Sequence, residues 1–239
     1  MTIAALLGTT GSLACIYRGL PENPFAVSPD SLFSVYETIA VAPVDTPADF
    51  DVSGDAMVQL EGAVEEQLER MGFSVVPPFE YLGIWQHIAN ETGGFYDTYS
   101  GQLDEELFEY AMERLRLDLS TRFDVDAILY PELWGGTVPF FDGIARWDGA
   151  AQAVFGARGM NGEVRVLSLV VSIEDIAGRE LYSNGFGFAT IEAWHNDEWL
   201  PLILDGVVRD SRLVSTAVEN VFAPMVESQM SLSNEHLPQ

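Results

Sequence analysis

The most ordered set of oxygen ligands in the chain is Asp49-Phe50-Asp51-Val52-Ser53-Gly54-Asp55, which places acceptors at alternate positions ahead of a turn glycine. That is the first half of an EF-hand calcium loop. The second half fails, because the twelfth position is Leu60 where a bidentate glutamate is needed, and no entering helix is predicted. The expectation is therefore a turn in which Ser53 or Asp55 caps the following helix and complements its dipole. Asp49, Asp51, Ser53 and Asp55 stay weak metal candidates, and no metal is assigned.

A second gathering is Trp194-His195-Asn196-Asp197-Glu198-Trp199, which brings a base, two carboxylates and two indoles together after the last predicted strand. It reads either as an active-site loop or, more simply, as an exposed polar turn anchored by aromatics. The histidines, His87, His195 and His236, are too sparse for a zinc site. No Gly-x-Ser-x-Gly elbow is present. Acidic neighbours such as Asp104 and Glu105 serve glycoside hydrolysis only with a partner across a cleft, and a solvated helix face explains them equally. Gly185-Phe186-Gly187-Phe188 lacks the helix start of a phosphate loop. Glycines alternating with aromatics in a strand suggest close backbone approach or a curved sheet, with Phe186 and Phe188, together with Trp194, His195, Asp197 and Trp199, as a candidate binding surface. No catalytic residue and no cofactor is assigned.

Bulk composition excludes several classes. All eleven basic residues are arginine, against 37 acidic residues, for a formal net charge of -26 over 239 residues. Without lysine there is no Schiff-base chemistry, no pyridoxal phosphate attachment and no P-loop lysine. Scattered arginines make no basic stripe, so nucleic acid is excluded as a partner, and an anionic lipid surface would repel the chain. A hydrophobic content of 48 % is enough for a packed core.

Residues 2–14 are apolar or small, carry no charge and end at Cys15, the only cysteine. The run is too short to span a bilayer but has the length of a secretory apolar region. Leu13-Ala14-Cys15 reads as the tail of a lipobox, with Cys15 as the lipidated residue. Ser12 stands where an aliphatic residue is usual, and no basic residue precedes the run. The alternatives are an amino-terminal core element with an inert thiol, or a signal without lipid. Residues 16–36, rich in Pro, Ser and Asn, read as a tether.

The elements expected behind these residues form one α/β (α+β) domain over 37–230, with a frayed tail at 231–239. Thr38 to Val44 reads as a buried strand stopped by Pro43. Met57, Leu60, Val64, Leu68 and Met71 mark one helix face, and Phe73 to Pro77 a second strand, so that 38–77 is a β-α-β unit with parallel strands. Helices are expected around 79–90 and 103–115, and a third strand over 123–130, ending at Pro131. Long strands at 149–158, 163–176 and 179–192 follow, joined by hairpins at Asn161-Gly162 and Ala177-Gly178. The strand at 163–176 is apolar on both faces and therefore central. Val207, Val214, Val218, Val221 and Met225 mark a closing helix that Pro224 kinks or interrupts. The sum is a two- or three-layer mixed sheet, parallel at its amino-terminal end, followed by an antiparallel meander closed by a helix.

This order, with Ile39-Ala40-Val41-Ala42-Pro43, Gly72-Phe73-Ser74-Val75-Val76-Pro77 and Val125-Asp126-Ala127-Ile128-Leu129, resembles a group of bacterial envelope lipoproteins. The group comprises the curli-secretion lipoproteins, the outer-membrane activators of penicillin-binding proteins and the amino-terminal domain of TolB. The resemblance implies a domain tethered to a membrane by lipid alone, working on the periplasmic face of the outer membrane by binding other envelope proteins. Ile16 after the cysteine lacks the aspartate of inner-membrane retention in that group. The resulting expectation is a non-catalytic binding or assembly module. Its rivals are a periplasmic hydrolase using carboxylates, with His195 and Asp197 to test first, and a homo-oligomeric secretion-assembly subunit.

Overall fold

The computed structural model describes residues 21–47, 50, 52–96 and 100–235. Its centre is the strand β3, Ala127–Phe141, which pairs with parallel strands on one side and antiparallel strands on the other. On the parallel side, β1 (Thr38–Val41) lies next to β3 and β2 (Ser74–Val76) next to β1. The helix α2, Gly54–Arg70, joins β1 to β2, which completes the β-α-β unit expected from the apolar spacing. On the antiparallel side come β6 (Gly162–Asp175) and then β7 (Glu180–Thr190). The far end of β3 also pairs with β4 (Ile144–Trp147), which pairs with β5 (Ala150–Ala153). A two-stranded hairpin, β8 (Glu192–His195) and β9 (Glu198–Pro201), stands apart.

Helices cover the sheet on both faces, so the fold is a three-layer α/β arrangement with a mixed sheet. One face holds the larger core. There Leu60, Val64 and Leu68 of α2 pack against Leu129 and Leu133. The same face carries Leu32 of α1 (Pro29–Val35), Val214 and Val218 of α6 (Ser211–Val221), and Met225 of α7 (Ala223–Glu235). The other face is covered near β1 by α3 (Pro78–Thr92) and α4 (Glu105–Phe123), whose Ile84, Ile88, Leu115 and Leu119 pack on Ala40 and Ile128. A short helix α5, Leu204–Val208, precedes α6. Pro224 interrupts the closing helix as expected, separating α6 from α7. Among the described residues no helix is long and apolar enough to cross a membrane.

Four local expectations are corrected. The third strand does not end at Pro131 but runs ten residues further, in unbroken register with β6. The N–H donors and carbonyls of the odd-numbered residues in this part of β3 point towards β1: Pro131 O accepts from Asp45 N–H and Leu133 N–H donates to Asp45 O. The donor that proline lacks therefore faces a flank where β1 has already ended at Val41, and no bond to β6 is lost. Asn161-Gly162 does not join paired strands: β6 pairs with β3, β5 is only four residues long, and Asn161 Oδ1 instead accepts from Asp142 N–H at 2.8 Å. The stretch expected as a tether is packed where it is described. Ser28 caps α1, Pro29 occupies its first turn, and the Phe25 ring meets Tyr182 edge-on at 5.2 Å. Finally, α7 continues to Glu235, past the point where the tail was expected to begin.

Candidate functional site

The sheet is longer than its helical cover. Side chains alternate along β3, so the odd-numbered residues all face the layer that contains α2 and α6. Leu129 and Leu133 are buried there, and the Phe50 ring lies against Gly135, where a Cβ would collide with it. Beyond Gly135 the cover stops, and Thr137, Pro139 and Phe141 are exposed. Phe141 stands directly opposite Ile144 in β4, and Ile144 opposite Ala153 in β5. Arg146 and Ala151 form the next outward pair of the same hairpin, and Phe155 follows two residues after Ala153. Phe141 is 69 % exposed and Phe155 72 % exposed.

This bare surface is backed by a packed third core. Phe140, Trp147, Val164 and Val166 fill it. Trp147 donates from Nε1 to Leu167 O at 3.3 Å, and a Cβ on Gly187 would sit 2.7 Å from the same indole. The close approach expected of the Gly185–Phe188 stretch is thus met at Gly187. Gln152 fastens β5 to β7, donating to Phe188 O at 2.9 Å and accepting from Thr190 N–H at 3.2 Å. Beneath them the Ser168 hydroxyl donates to Asp148 Oδ2 at 2.6 Å. Exposed aromatics on a backing this well fixed lose little conformational entropy on binding.

Charge marks the same region. From Trp134 to Ser168 three arginines balance three acids, in a chain of net charge -26. Arg114, Arg116, Arg122, Arg179 and Arg209 all form ion pairs. Among the described residues Arg70, Arg146, Arg158 and Arg212, all exposed, form none, and two of these four lie in this region. Arg158 sits in the 155–160 turn, whose backbone packs against Gly143 at the β3–β4 corner.

The residues singled out from sequence fall elsewhere. Cys15, Asp49 and Asp51 lie outside the described residues. Ser53 caps α2 by accepting from Ala56 N–H at 3.3 Å, as expected of a turn. It is further tied to α5: Ser53 N–H donates to Asp205 Oδ1 at 3.0 Å, and Arg209 Nη2 donates to Ser53 Oγ at 2.9 Å. Hydrogen bonds from Ser53 and then Arg209 hold the Asp205 carboxyl down at about 2. Asp55 faces Arg209 at 3.7 Å from an exposed position. Among the described residues no group of His, Cys, Asp and Glu could hold a metal ion. Phe186 is half-buried and Phe188 fully buried, both in the larger core. Trp194 and Trp199 stack edge-on at 5.1 Å, half-buried behind the bare face, while His195 and Asp197 project from the exposed turn of the β8–β9 hairpin.

Two other places hold polar groups. Arg116 Nη2 meets Glu174 Oε2 at 3.4 Å beneath α4, beside Tyr81 and Tyr130. Burial pushes the Tyr130 phenol up to about 12 and Tyr81 higher still, so both remain protonated and the group serves to pin α4 to the sheet. A shallow cleft of about 290 Å³, lined by Phe33, Tyr36, Met71 and Phe73, contains a single carboxylate, Glu37. Sequence reasoning passed over Phe141, Ile144, Arg146, Phe155 and Arg158, although the neutral charge of 134–168 was a legible signal.

No family model matches the chain, and no curated protein matches it. Among solved structures it is similar to the PelC dodecamer from Paraburkholderia phytofirmans, with a TM-score of 0.35 and 10 % identity over 85 % of this chain and 92 % of that one. A variant of the same dodecamer gives a TM-score of 0.34 and 12 % identity over 87 % and 95 %. Likeness at these levels is too slight to transfer a fold or a function.

Proposed function

We propose that this protein is a non-catalytic assembly module of the cell envelope. It is anchored by lipid at Cys15 on the periplasmic face of the outer membrane and joins other copies of itself or other envelope proteins through the outer face of β3, β4 and β5. The observation that carries the binding role is the bare half of the sheet, where Phe141, Ile144 and Phe155 are exposed beside unpaired arginines. Exposed aromatic and aliphatic side chains gathered beside arginine mark interaction surfaces, because aromatic residues with arginine dominate the energetic centres of interfaces. The anchor rests on the Leu13-Ala14-Cys15 pattern and the resemblance to envelope lipoproteins.

Light scattering on the full chain tests the binding role. The wild type is expected to show the mass of an assembly, and Phe141→Asp the mass of a single chain with the wild-type circular dichroism spectrum. A wild type that stays single at every concentration, and whose co-purification with envelope proteins is indifferent to Phe141→Asp, would end this reading. The anchor is tested by the intact mass of protein extracted from host membranes. A chain beginning at Cys15 with added acyl mass supports it, and an unprocessed chain in the soluble fraction removes it.

A further inference from the structure

We propose that the bare face of β3–β5 docks on the acidic outer face of α2 in a second copy of the chain; this rests on the interface role given to that face above. The bare face is the unfinished half of a surface whose other half is already covered by a helix. Within one molecule α2 lies over Leu129 and Leu133, and the cover ends at Gly135. A second α2 laid over Pro139, Phe141 and Ile144 would continue the helical layer.

The outward side of α2 has the chemistry for this. Glu65 and Glu69 stand four residues apart on the outward side of the helix, and Glu61, one turn earlier, lies half-buried at its flank, where it accepts from Val44 N–H at 3.1 Å, so each repels the next. Among the described residues none of the three forms an ion pair. Burial first, then repulsion from Glu61 and Glu69, raises the Glu65 carboxyl above the ordinary glutamate range, and burial does the same to Glu61. The helix has one cation, Arg70, in its last turn. Such a row gains from an incoming positive charge. Arg146 and Arg158 are permanently charged, exposed and unpaired at the edge of the bare face. Between the acids, Val58 is 65 % exposed and Gly62 leaves the helix surface flat, which gives Phe141 and Ile144 an apolar seat.

The two surfaces are different patches of one molecule, so the contact is head-to-tail and builds a ring or an open filament rather than a twofold dimer. The test is a charge exchange read by light scattering on the full chain, with circular dichroism to confirm folding. Arg146→Glu with Arg158→Glu is expected to give single chains, as is Glu65→Arg with Glu69→Arg. Mixed one to one, the two variants regain complementary faces and are expected to assemble, alternating along the ring or filament. If either double variant keeps the wild-type mass, or if the mixture stays single, the pairing with α2 is wrong. Should Phe141→Asp dissolve the assembly while the charge variants do not, the bare face remains the interface and only its proposed occupant falls.

Discussion

Around Leu129 the sheet is covered on both faces, by α2 on one and α3–α4 on the other; around Phe141, twelve residues along the same strand, it is covered on one. The first region is acidic, with five acids against one arginine on α2 alone. The second is neutral, presents Phe141 and Ile144 among Arg146, Arg165 and Glu163 on its outside, and is backed by a small aromatic core. A single strand thus serves as core at one end and as surface at the other. The same alternation of side chains has opposite consequences depending on whether a helix lies above it.

The sharpest way to break this contrast is to truncate the strand at both ends. Leu129→Ala is expected to cost about 2–5 kcal/mol, because Leu129 is fully buried and the packed layers cannot close the cavity. Phe141→Ala, compared at dilutions where both proteins are single chains, is expected to change stability by no more than about 0.5 kcal/mol. Chemical denaturation of both variants checks the pair, and equal losses would show that the far end is core after all. Next in size is Gly187→Ala, whose new methyl would press on Trp147 and Ala150. A loss of about 1–3 kcal/mol is expected from overpacking the backing of the bare face.

Acidity should separate the regions as well. Glu61, Glu65 and Glu174 have raised carboxyls in the folded state, so each favours folding most when protonated and withdraws that contribution as pH rises through its folded value. Asp205 is depressed to about 2, and its contribution is present above the unfolded value and lost as pH falls towards 2. The melting temperature is therefore expected to rise as pH is lowered from 7 towards about 5 and to fall again below about 4, near the unfolded carboxylate values. Glu65→Gln should flatten the upper limb. A melting temperature that falls steadily from pH 7 downward would contradict the assignment. The smallest effect is expected from His195→Ala with Asp197→Asn, asparagine being chosen because position 197 has a φ of 65°. Both residues are exposed on the β8–β9 turn, so stability should move by less than about 0.5 kcal/mol and assembly not at all. Loss of a measurable hydrolytic activity in this double variant would revive the enzyme reading.

What could be read in the sequence depended on local signals. Leu60, Val64 and Leu68 gave α2 by their spacing, and the doubly apolar run of β6 gave a central strand. Pro131 misled, because its harmlessness depends on β1 ending at Val41, a fact of tertiary pairing rather than of local pattern. Asn161-Gly162 misled for a similar reason: a good turn dipeptide was used to bond Asp142 across a corner. The bare face could not be found by seeking catalytic residue types, since Phe141, Ile144 and Arg146 form no catalytic pattern in the sequence. It becomes visible only when the reach of the helical layer is known.

The most direct measurement is site-specific photo-crosslinking, with a photoreactive phenylalanine placed at position 141 and, as a control, at the exposed aromatic position Tyr110 of α4. The account predicts crosslinked dimers of this chain from position 141, mapping to α2, and few or none from position 110. Equal yields from both positions, or no crosslink from 141 in intact host cells, would contradict the claim that the bare half of the sheet is where this protein binds.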